Sequence, residues 1–190
     1  MNLKKPIFGC LALFALGALF ASCSSTKSTS VIVGGDYDAT KDVTTYMVFP
    51  YGDVELPGKW DKSQYSQSSH QQFFINQDSV IVAVSFAPYN KYEFNFDGAL
   101  KGADFLLAYH KWEADFFQEQ GLECPLIEMD STNNYIIYKI SGTYSDTVID
   151  SFFLIRESKG AVSSYSIQRT DKWSDDKRLE FLKSLLMTHS

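Results

Sequence analysis

The residues of this 190-residue chain that could do chemistry are three histidines, three cysteines and 23 acids. His70 stands among serines and glutamines, His110 lies at the edge of an apolar helical stripe, and His189 is next to last. No two are three or four residues apart, the spacing that puts two ligands on one helical face, and no cysteine accompanies them, so no zinc site is expected. Nucleophilic catalysis needs a hydroxyl beside a base. The chain is full of serine, yet none sits in a Gly-x-Ser-x-Gly elbow. Each histidine therefore reads as a surface group or a satisfied core group. The acids give the same answer. Asp36, Asp38 and Asp42, or Asp175 and Asp176, could ligate calcium, but a calcium loop wraps its ligands around a tight glycine turn, and Gly34-Gly35 precede the first set instead of dividing it. They read as solvated tether charges. Glu113 and Asp115, two apart on a helix, cannot share a face. No glycine-rich loop is present to cradle a phosphate, so neither metal nor cofactor is expected. Cys124 reads as a small buried hydrophobe whose thiol the adjacent Glu123 would make less acidic.

One segment is less bland. Pro88 to Phe96 packs Tyr89, Tyr92, Phe94 and Phe96 between a strand and a helix. Alternation with Lys91, Glu93 and Asn95 fits a strand laying aromatics on the core; a loop presenting aromatics to a partner fits as well, since aromatic residues are enriched in interface cores. Trp60 and Tyr65, read as part of another long loop, could complete a groove. The candidate contact residues for a protein partner or small ligand are thus Trp60, Tyr65, Tyr89, Tyr92, Phe94 and Phe96.

The elements that must position these residues follow from pattern. Val43–Phe49 is β-branched and aromatic and predicts a strand. Ser68–Ile75 and Ser79–Ala87 predict a hairpin around Asn76-Gln77-Asp78, the second arm apolar on both faces and so covered on both sides. Over 102–120 the period changes: Phe105, Ala108, Trp112 and Phe116 recur at helical spacing, widened by Leu106, Tyr109 and Phe117, with Gly121 placed to end the helix and Leu122 to close it. Four strands are predicted next, at 126–129, 135–144, 147–157 and 161–169, joined by loops too short for a parallel crossover. Ser174 predicts the N-cap of a last helix whose stripe is Leu179, Leu182, Leu185 and Leu186.

The first residues carry Lys4 and Lys5, then an uncharged apolar run from Pro6 to Ala21, the pattern of a secretory signal. Leu19-Phe20-Ala21-Ser22-Cys23 resembles the lipobox of bacterial lipoproteins, with Phe20 where that family prefers an aliphatic residue. The resemblance implies a cleaved signal peptide at 1–22 and a lipid on Cys23, where two or three acyl chains would anchor the protein essentially permanently. Residues 23–42 read as the lipidated cysteine and a flexible tether, and 43–190 as a single globular domain. Loss of Lys4 and Lys5 leaves 15 basic against 23 acidic residues, a net charge of −8. That excludes a nucleic-acid binder, which needs a basic footprint, and argues against binding anionic lipid by charge alone. With Cys10 removed and Cys23 acylated, no internal disulfide can form. In lipoprotein terms, Ser24 after the lipidated cysteine and the absence of an acidic run imply a cell-envelope protein on the outer membrane, facing the periplasm.

The order hairpin, long helix, four-stranded meander, terminal helix resembles the PsbP-like fold. Its local carriers are Phe49-Pro50, Leu56 to Trp60, Phe73 to Val82 and the end from Trp173 to Leu186. The resemblance implies an α+β protein built as a three-layer α/β/α sandwich with a mostly antiparallel sheet, and a non-catalytic binding or accessory role. Two alternatives stand beside it: an envelope hydrolase whose site assembles only in three dimensions around His70 or His110, and a structural subunit of an outer-membrane complex.

Overall fold

The computed structural model describes residues 30–186. Its smaller sheet holds β1 (Ile32–Gly34), β2 (Tyr37–Asp38), β3 (Val43–Phe49) and β4 (Gly52–Pro57). β1, β2 and β4 all pair antiparallel with β3. The segment read as tether therefore contributes two strands, and the compact unit begins at Val31. The reason is local: Val31-Ile32-Val33 is β-branched, and the Asp38 carboxylate accepts from the backbone N–H groups of Thr40 and Lys41, turning the chain back into β3. Those contacts hold the Asp38 carboxyl below its ordinary range. Asp38 is thus a turn residue as well as a solvated charge. Cys23 and the signal segment lie outside the described residues, as does His189.

The larger sheet contains β5 (Trp60–Ser66), β6 (Gln71–Asn76), β7 (Ile81–Pro88), β8 (Leu126–Asp130), β9 (Tyr135–Tyr144), β10 (Thr147–Ser158) and β11 (Ala161–Gln168). Its spatial order is β5-β6-β7-β11-β10-β9-β8, antiparallel throughout. The predicted hairpin and meander are all present. β5 is the addition: Trp60 and Tyr65 lie on an edge strand, not in a loop. Its polar sequence hides it, because only Trp60 is buried and the remaining positions face water.

Among the described residues two α-helices complete an α+β fold: α1 (Gly102–Gln118) and α2 (Asp175–Ser184). α1 ends as its sequence predicts. Gly121 takes a positive φ, its N–H donates to Gln118 O, and Leu122 N–H donates to Phe117 O. The stripe, however, is rotated from the predicted one. Phe105, Leu106 and Tyr109 are buried, whereas Phe116 is 56% exposed. α2 starts at Ser174, whose hydroxyl accepts from Lys177 N–H.

The large sheet carries apolar side chains on both faces, in strict alternation. Ile137, Phe152, Leu154, Tyr165 and Ile167 pack with Leu182 and Leu185 of the C-terminal segment and with Tyr46, Val54 and Leu56 of the smaller sheet. Ile136, Tyr138, Ile140, Ile155 and Val162 pack with Phe105, Leu106 and Tyr109 of α1. A mostly polar ten-residue helix such as α2 would not persist alone. Leu182 and Leu185, both fully buried, hold it at about 1.5–3 kcal/mol each. Among the described residues no helix is long and apolar enough to cross a membrane.

Candidate binding cleft

The aromatic segment after β7 forms two 3-10 turns, Tyr89–Lys91 and Glu93–Asn95, instead of a strand. Asn95 organises it. Its buried side chain donates to the carbonyls of Tyr89 and Leu100 at 3.2 and 3.1 Å and accepts from Leu100 N–H at 2.8 Å. Three hydrogen bonds from one amide lock the loop, so the rings on either side have fixed places. Tyr92 and Phe94 stack at 5.6 Å and lie against Phe105, Tyr109 and Trp112 of α1. The N-terminus of α1 is tied to the sheet by Glu157, whose Oε2 accepts from Gly102 N–H at 2.9 Å.

Between this aromatic wall and the sheet is a cleft of about 350 Å³. Tyr92, Tyr109, Trp112 and Glu113 line one side, and Ser85, Ala87 and Ser164 line the other. α1 packs over β9 and β10, leaving the β7–β11 part of that face less covered. Ser85 and Ser164 are cross-strand partners there, and their small side chains leave the space unfilled. Ser69, His70 and Lys91 also line the cleft.

Glu113 is its chemical centre. Burial pushes the carboxyl up to about 7, and the Tyr109 hydroxyl, donating to Oε1 at 3.4 Å, offsets part of that rise. Burial and the Glu113 charge raise the Tyr92 and Tyr109 phenols. Glu93 is exposed and accepts from Trp112 Nε1 at 2.7 Å. Burial lowers the Lys91 ammonium. An acid poised near neutrality can either donate or accept a hydrogen bond, so the cleft can recognise a polar group on a flat or apolar body.

The structure separates residues that the sequence grouped. Trp60 is buried against Trp173 and Phe181, away from the lining of this cleft. Tyr65 is exposed, and its hydroxyl meets His70 Nδ1 at 3.3 Å. Tyr89 and Phe94 pack on the α1 core, while Phe96 is 81% exposed. Tyr92 alone of the six lines this cleft. His110 turns elsewhere: its Nε2 meets Cys124 O at 3.0 Å and its ring lies on Tyr138. Cys124 is buried, its thiol pushed up to about 11 by burial and by Glu113, a carboxylate on α1 and not the sequence neighbour Glu123. Among the described residues no group of three or more histidines, cysteines or acids could hold a metal ion.

Glu113 was missed because a pair rule for acids looks at neighbouring charges. The usable signal was its position. Leu106, Tyr109, Glu113 and Phe117 fall at i, i+3, i+7 and i+11, so an acid occupies the buried stripe.

No protein-family model matches the chain, and no curated protein does. Twelve chains of solved structures are similar to it. One is the solution structure of CyanoP, the cyanobacterial PsbP of Synechocystis sp. PCC 6803, with 13% sequence identity over 89% of this chain and 94% of that one, at a TM-score of 0.42. This is a slight likeness of fold alone.

Proposed function

We propose that this protein is a lipid-anchored, non-catalytic binding module of the cell envelope, and that the cleft at Glu113 is where it binds. The fold is then read as three layers, α1 on one face of the large sheet and α2 with the smaller sheet on the other, as in PsbP-like proteins. The observation that carries the reading is the convergence of a half-buried acid and three aromatic rings on an unfilled stretch of sheet. Such a site suits a small molecule or a peptide side chain with N–H or O–H donors on an apolar body. The hydrolase alternative needs a pocket joining His70 to an acid or a serine, and this cleft gathers His70, Glu113 and serines; what favours binding is that, among the described residues, His70 and Glu113 hydrogen-bond to Tyr65 and Tyr109 and not to a serine. The anchor rests on the lipobox resemblance at Cys23, and the reading of an outer-membrane protein facing the periplasm rests on Ser24 and the absence of an acidic run after it.

The test is a titration of isotopically labelled protein with short peptides, amines and simple sugars, read by amide chemical shifts. Saturable shifts at Ser69, Lys91, Trp112 and Ser164, weakened in Glu113→Ala, are expected. Shifts scattered elsewhere, or none with any probe class, would overturn the cleft assignment.

A further inference from the structure

Arg156 on β10 is a half-buried cation without an anionic partner among the described residues. Its cross-strand partners are Ser163 on β11 and Tyr135 on β9. It shares a sheet face with Leu154, and so lies on the side of α2 and the smaller sheet. Its Nε is buried without a hydrogen-bond partner among the described residues. Its Nη1 reaches only Leu186 O at 3.5 Å, the outer limit of a hydrogen bond. Among the described residues Arg156 makes no ion pair, in contrast to Arg178, which is paired with both Asp150 and Asp175.

A cavity of about 470 Å³ is lined by Arg156, Lys159, Ser158 and Ser163, together with Gly52 and Asp53 of β4. Lys159, on the β10–β11 turn, has no ion pair among the described residues either, and Asp53 does not come within ion-pair distance of either cation. A chain with an excess of acids thus leaves two cations unpaired in one cavity, one of them with a buried N–H lacking an acceptor, and sets a single carboxylate, Asp53, among the lining residues. The planar fork of arginine matches a tetrahedral oxyanion, lysine supplies a point charge, and two serine hydroxyls add donors.

We propose that this cavity is an anion site that takes a phosphate group against the guanidinium of Arg156, with Lys159, Ser158 and Ser163 completing the donor set. The phosphate is either free or the headgroup of a phospholipid. Cleft and cavity share no lining residue, so the proposal stands apart from the function assigned to Glu113.

The experiment titrates the full-length protein in neutral detergent with inorganic phosphate and, separately, with a soluble short-chain phosphatidic acid, following the amides of Gly52, Lys159 and Ser163. Saturation at low-millimolar concentration is expected, with tighter binding of the phosphatidic acid identifying a headgroup and equal binding identifying free phosphate. Arg156→Gln should weaken binding at least tenfold. Lys159→Gln should weaken it several-fold and Asp53→Asn should strengthen it; both positions are exposed, so these variants keep the test decisive if Arg156→Gln fails to fold. Absence of saturable shifts with both probes, or affinities unchanged in Lys159→Gln and Asp53→Asn, would overturn the proposal.

Discussion

The Tyr109 hydroxyl donates to Glu113 Oε1 from one helical turn away, and both side chains line the same cleft. A carboxyl in that place is held above its ordinary range, so the folded protein keeps a proton that the unfolded chain releases above about 4.5. The resulting stability is complete below about pH 4.5 and is lost as pH rises through about 7. Urea denaturation of wild type across that window should show a fall on the order of 2 kcal/mol relative to Glu113→Gln, whose own profile should be flatter. Parallel profiles would place Glu113 in water.

Cys124 should be inert in the folded protein. Its thiol is buried and raised to about 11, which leaves little thiolate at neutral pH. A maleimide should label it only after denaturation. Labelling of native protein at a rate near that of a free thiol would contradict the packing of α1 on β9.

The C-terminal helix should depend on Arg178. This guanidinium is 1% exposed, meets Asp150 and Asp175 at 2.9 and 2.6 Å, and lies over the Phe152 ring. Burial alone would raise the Asp150 carboxyl; Arg178 and Lys139 more than reverse it. Asp150 and Asp175 keep Lys139 at 3.1 and 3.2 Å when Arg178 is removed, so Arg178→Ala loses its charged hydrogen bonds and its packing on Phe152 without stranding a carboxylate, and should cost about 1.5–3 kcal/mol, measured by chemical denaturation. Arg178→Met, which keeps the packing volume, should cost less.

Lipid attachment has its own test. Radiolabelled palmitate should enter the wild-type protein, and Cys23→Ala should neither incorporate it nor fractionate with the outer membrane. Unchanged fractionation of Cys23→Ala would remove the anchor and leave the cleft untouched.

The elements most legible in the sequence are those with strong periodicity or definite stops. β9 and β10 announce themselves by large apolar residues on both faces, and the end of α1 by Gly121-Leu122. β5 was hidden because an edge strand with one buried residue has no apolar alternation to read. β1 and β2 were hidden because a short strand after a polar tether looks like more tether. Trp60 and Tyr92 illustrate the limit for the site. Both are aromatics in chain segments that looked like loops, yet one packs beneath α2 and the other faces α1, a division set by strand order across the sheet and by no local pattern. Arg178 and Arg156 show the same limit for charge: both lie on the α2 side of the sheet, and only tertiary placement decides which finds carboxylates.

The most direct measurement is photo-crosslinking in intact cells from a benzophenone side chain replacing Lys91 in the cleft, with Asp146 on the distant β9–β10 turn as the control position. The account predicts a discrete adduct from position 91 that is absent from position 146 and is lost when Glu113→Ala and Tyr92→Ala are combined. The same adducts from both positions, or an adduct indifferent to those substitutions, would contradict it.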